Sequence, residues 1–80
     1  METNHELTQK IENLKEQISV LTTKSIELTK KAQDILQIDS SLTYVAKRLH
    51  KAAKHLSICA LNCELKINQL TKQIAKNSRN

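Results

Sequence analysis

Glycine and proline are absent from this chain of 80 residues, as are tryptophan and phenylalanine, and Tyr44 is its single aromatic. Without glycine there is no dedicated positive-φ turn residue and no glycine-rich loop to cradle a phosphate. Without proline nothing breaks a helix outright. One aromatic cannot supply the stacking platforms that hold single-stranded nucleic acid. The two cysteines, Cys59 and Cys63, are too few for a disulfide framework and lack the paired spacing of a zinc finger. No apolar run approaches the length of a membrane span. The segment Met1–Glu6 is polar and acidic, unlike a secretion signal, so a cytoplasmic or nuclear, reducing setting is expected.

What the chain does have is a heptad repeat held in one phase almost throughout. The d positions are Leu7, Leu14, Leu21, Leu28, Ile35, Leu42, Leu49, Leu56, Cys63 and Leu70. The a positions are Ile11, Ile18, Ser25, Ala32, Asp39, Ala46, Ala53, Ala60, Ile67 and Ile74. Such a repeat buries its surface helix against helix along a seam, which makes the chain all-α. Eighty residues allow one domain, 1–80, and a chain this short ordinarily needs a staple. With no disulfide framework, self-association or a helical partner is the expected staple.

One interruption stands out. Asp39-Ser40-Ser41 are residues whose side chains compete for backbone groups inside helices but suit turns and N-caps. Asp39 also occupies an a position, where a buried carboxylate would be costly. Thr3 and Glu6 have the spacing of a capping box at the start of the first helix. The reading is therefore an antiparallel hairpin, with a helix at roughly 3–38, a turn at 39–41, a helix at roughly 41–76 and a frayed tail at 77–80. The alternative is one continuous helix of about 110 Å in an antiparallel coiled coil, which would explain the unbroken phase directly.

Folding about the midpoint of Ser40 and Ser41 gives layers whose residue numbers sum to 81. They are Ile11/Leu70, Leu14/Ile67, Ile18/Cys63, Leu21/Ala60, Ser25/Leu56, Leu28/Ala53, Ala32/Leu49 and Ile35/Ala46. Near the turn each large residue faces a small one, so two backbones can approach without overpacking. The g positions Ile38, Val45, Ala52 and Cys59 are apolar too, beside Leu36 at e, and many e positions carry small polar residues, Thr8, Thr22, Thr29, Thr43, Ser57 and Thr71. A face this wide exceeds a two-helix seam and fits two hairpins closing into a four-helix bundle, or one hairpin docked on a helical protein. Ser25 is expected to help set register, with Lys15 near Glu64.

Catalytic chemistry finds little to stand on. His55, Cys59 and Cys63 are spaced one helical turn apart, but free cysteines on g and d positions read better as small buried groups than as metal ligands. His5 and His50 are scattered, and no serine or cysteine shares a frame with a histidine and a carboxylate. No enzyme, metal or cofactor is expected.

Charge is distributed unevenly. Residues 1–40 hold seven acids and five bases, a net −2, and residues 41–80 hold one acid and eight bases, a net +7. No acid occurs between Asp39 and Glu64, while Lys47, Arg48, Lys51, Lys54 and His55 fall at b, c, f, b and c. They make one outward face of the second helix basic and a candidate anion-binding surface. A leucine-zipper transcription factor would need its basic region before the zipper, whereas here the start is acidic. A second outward feature is the apolar row Ile58, Leu61 and Leu65 at f, b and f, a candidate partner contact, with Val20 and Ile26 as isolated counterparts on the first helix. The expectation is a protein–protein interaction or assembly subunit whose partners are a second copy, as a homodimer, or a helical protein. The alternative is a small basic regulator that binds nucleic acid through the second helix.

Overall fold

The computed structural model describes residues 3–78 and is a helical hairpin. Helix α1 spans Asn4–Ile38, a single turn of 3-10 helix covers Ser40–Leu42, and helix α2 spans Thr43–Ser78. The molecule measures 62 × 15 × 14 Å with a radius of gyration of 18.0 Å. That is the length of one helix of this size and excludes the continuous helix of about 110 Å.

The first helix begins where its cap predicts. Thr3 has extended backbone, and its hydroxyl accepts the Glu6 N–H at 3.2 Å, satisfying one orphan donor of the first turn. The helix ends at Asp39, the one residue between the two helical runs, with φ −151° and ψ 105°. The Asp39 N–H still donates to the Ile35 carbonyl at 2.9 Å, so it closes α1. Its carboxylate accepts the Ser41 N–H at 2.9 Å and the Ser41 hydroxyl at 2.7 Å, so it also opens the next run. The Thr43 hydroxyl donates to the Ser40 carbonyl at 2.9 Å as the 3-10 turn passes into α2. A chain without glycine reverses here with no residue at positive φ. The turn replaces left-handed backbone with one extended residue and a side-chain cap.

A turn this short keeps the helices at equal height. Cross-hairpin hydrogen bonds record the alignment, joining Asn77 to Asn4 at 3.2 Å, Asn4 to Ser78 at 3.5 Å, Ser25 to Ser57 at 3.0 Å and Cys63 to Gln17 at 3.7 Å. The paired numbers sum to between 80 and 82, the register in which a residues of one helix face d residues of the other. The buried side chains lie along this seam: Leu7, Ala32, Ala46, Ala53, Ala60 and Leu70. The open end differs from the expected frayed tail. Asn77 and Ser78 are helical and tied to Asn4, because the register that aligns the seam also brings these polar residues together; Arg79 and Asn80 lie outside the described residues.

The turn yields a pH test. The two bonds from Ser41, its hydroxyl first and its N–H second, favour the charged Asp39 and hold its carboxyl below the ordinary value of 3.8. A depressed folded-state value adds stability above the ordinary value, and that stability is lost as pH falls through the folded value. Asp39→Ala is expected to lower the melting temperature at pH 7, with the gap to wild type narrowing as pH drops below 3.8. A gap that stays constant down to pH 2 would show that the carboxylate is not what holds the turn.

Candidate interaction surface

The seam comes first because it determines which residues are left outside. All eighteen heptad residues of the expected seam are buried or half-buried. Those enclosed are four alanines and the leucines nearest the open end. The larger ones, Ile11, Leu14, Ile18, Leu21, Leu28, Ile35, Leu42, Leu49, Leu56, Ile67 and Ile74, and Cys63 are only half-buried. Two helices cover each of these side chains from one direction, and the flanks stay open to water.

Several polar groups along the seam find partners inside the chain. The Ser25 hydroxyl donates to the Ala53 carbonyl at 3.0 Å, since the carbonyl can only accept. Its one proton is then used, so Ser57 is the donor in the 3.0 Å contact between their hydroxyls. Thr8, Thr29 and Thr71 each donate to the carbonyl one turn earlier, at Asn4, Ser25 and Ile67. Lys15 departs from its expected place: it pairs with Glu12 on its own helix at 3.7 Å and not with Glu64. An i,i+3 neighbour is held in reach by the helix itself, whereas a cross-hairpin pair must order two long exposed side chains.

The apolar g stripe is covered only in part by the hairpin. Ile38 is 85% exposed, Ala52 is exposed, and Val45, Cys59 and Leu36 are half-buried. His55, Cys59 and Cys63 do not converge: His55 Nε2 lies 3.8 Å from the Cys59 sulfur, while the Cys63 thiol turns across the seam to Gln17 Oε1. Among the described residues, no three His, Cys, Asp or Glu side chains are placed as metal ligands would be.

The basic residues all lie outside. Lys47, Arg48, Lys51, Lys54 and His55 are exposed. Arg48, Lys51 and His55 come together with Ala52 around a shallow groove of about 370 Å³, and Lys47 and Lys54 lie on the other flank of the same face. The apolar row is also outside, with Ile58, Leu61 and Leu65 at 47%, 57% and 60% exposure. Val20 and Ile26 are comparably bare on α1. Two open grooves that residue patterning does not single out lie toward the open end. One is bounded by Asn13, Glu16, Gln17, Val20 and Leu21, the other by Lys10, Leu14, Gln17, Lys66 and Leu70 among others. They follow the g-position flank, where Gln17 and Lys66 are too long and polar to close the seam. No helix among the described residues is long and apolar enough to cross a membrane.

Compared with known families, curated proteins and solved structures, the chain finds no match in any of the three.

The Ser25 layer gives a direct test. Ser25→Ala removes both cross-hairpin hydrogen bonds of this hydroxyl, to Ala53 and from Ser57, and is expected to cost about 1–2 kcal/mol in urea unfolding. A variant as stable as wild type would mean that the hydroxyl contributes nothing beyond filling its layer.

Proposed function

We propose that this chain is a non-enzymatic assembly subunit of the cytoplasm or nucleus, a helical hairpin that works by burying its open faces against other helices. The partner is a second copy or a helical protein, and two hairpins closing into a four-helix bundle is the simplest such form. The observation that carries this reading is incomplete enclosure. Apart from Leu7 and Leu70, the large leucines and isoleucines of the seam are half-exposed, and Ile58, Leu61 and Leu65 stand in a row on the side away from it. At about 25 cal/mol per Å² of apolar surface removed from water, such faces gain most from a further helix. The hydroxyls of Thr8, Thr29 and Thr71 are already bonded within the chain, so covering them costs less than covering free hydroxyls. Isolated exposed apolar residues are ordinary, but a row on one helical face is the pattern of a contact surface.

Replacing Leu61 and Leu65 with lysine is expected to reduce association, read as sedimentation mass and as capture of a helical partner, while the helical circular dichroism and melting of the hairpin stay in place. Unchanged mass together with unchanged capture would overturn the reading.

A second reading is supported by the groove of Arg48, Lys51 and His55, in which three basic side chains face one concavity with no acid nearby in sequence. Here the chain is a small regulator that binds nucleic acid through phosphate contacts. Binding of labelled DNA or RNA is then expected to fall steeply with salt and to be lost when Lys47, Lys51 and Lys54 all become glutamate. Affinity that is indifferent to the triple change would remove this reading.

A further inference from the structure

The outward edge of α1 is acidic and the outward edge of α2 is basic, and the hairpin holds them at matched heights. The side chains farthest from the seam occupy b, c and f. On α1 these positions carry Glu6, Glu12, Glu16, Glu27 and Asp34 against one lysine, Lys30, and one histidine, His5. On α2 they carry Lys47, Arg48, Lys51, Lys54, Lys72 and Lys76 and no acid. The lysines of α1 are otherwise at e and g, beside the seam, and so is Glu64, the one acid of α2. Among the described residues, Glu27, Asp34, Arg48 and Lys76 have no ion-pair partner.

The two edges cannot meet within one hairpin, because they face in opposite directions. They can meet between copies. Place a second hairpin beside the first, turns at the same end, so that its α1 lies along the first copy's α2. The new contact is antiparallel like the seam, and residues at equal distance from the turn face each other. Along the c positions this sets Asp34 opposite Arg48, Glu27 opposite His55 and Glu6 opposite Lys76, all of them exposed. In the middle, Leu61 meets Val20 at the same height, and Ile58 comes within a turn of Ile26. Six of the seven exposed large hydrophobic residues thus fall on these two edges, Tyr44 at f beside the turn among them; the other, Ile38, is at g. One like-charge pair opposes the arrangement, Lys30 against Lys51 at f.

We propose that the occupant of the α2 edge is the α1 edge of a second copy of this chain. The inference rests on the assembly reading and names the partner. The contact is heterologous: each copy offers one acidic and one basic edge, so two copies leave one of each unused and the array grows by addition. Charge complementarity selects the pairing and its register, and the central apolar residues supply the buried area.

The test is sedimentation of the purified full chain at low and high salt. Wild type is expected to increase in mass with concentration, beyond a dimer, and to fall toward monomer as salt screens the edges. Asp34→Arg and Arg48→Asp are each expected to weaken association about fivefold at low salt, because each puts like charges face to face. Both changes suit the helix dipole, with a base toward the end of α1 and an acid toward the start of α2, so the hairpin should remain folded by circular dichroism. Mixed one to one, the two variants are expected to regain wild-type association. Lys51→Glu, which removes the opposing pair, should tighten it.

If wild type associates and the Leu61/Leu65 change abolishes this, but mixing restores nothing, the edge pairing falls while the assembly reading stands. A closed dimer indifferent to salt has the same consequence. A wild-type chain that stays monomeric at every concentration overturns the edge pairing, and if it also captures no helical protein the assembly reading falls with it.

Discussion

One extended residue sets the geometry of the whole molecule. Asp39 ends α1 by donating its N–H to Ile35 and starts the next run by accepting from Ser41, so a single position does the work of two caps. Because the reversal consumes so little chain, the heptad phase carries across it, and d residues of one helix fall opposite a residues of the other. A longer loop would have left the relative height of the helices free. The price of having no glycine is thus met by a side chain whose charge is exposed and already hydrogen-bonded.

From that register follows the taper of the seam. Close to the turn, Ile35, Ala32 and Leu28 face Ala46, Leu49 and Ala53, and the small partner in each layer lets the backbones approach. The alanines are therefore enclosed while the larger residues opposite them project partly past the seam. Ser25 fits this narrow middle because its hydroxyl reaches the Ala53 carbonyl directly, which a larger polar side chain could not do without separating the helices. At the open end the large-on-large layers are closed by Leu7 and Leu70 and finished by the polar ties of Asn4 with Asn77 and Ser78.

How much of this can be read from residues alone depends on the range of the interaction. The turn, the Thr3 cap and the seam are legible because each rests on local chemistry or on a period repeated ten times, where one ambiguous residue cannot shift the phase. The ordered end at Asn77 and Ser78 is not, since those residues look like a fraying tail until the register places Asn4 beside them. Lys15 illustrates a second limit. Two acids lie within plausible reach, and the choice of Glu12 over Glu64 depends on side-chain ordering that heptad letters do not encode. The edges illustrate a third. The heptad letters already turn the bases of α2 outward, but they do not say where the acids of α1 lie relative to them. The hairpin adds that the acids of α1 and the bases of α2 point away from each other.

That last point constrains what the hairpin is suited for. Opposite charges that could have been spent on holding α1 to α2 are turned outward, where within one molecule they stabilise nothing. The seam is left to apolar packing and a few hydroxyl bonds, and it encloses few large side chains. A surface kept polar only for dispersal would mix signs on each face and avoid apolar rows. Here each edge carries mainly one sign, and the bare apolar residues sit between the charges along its length. Segregation of that kind lowers the free energy of the molecule only when something of complementary sign lies alongside, and the chain itself presents such a surface on its other edge.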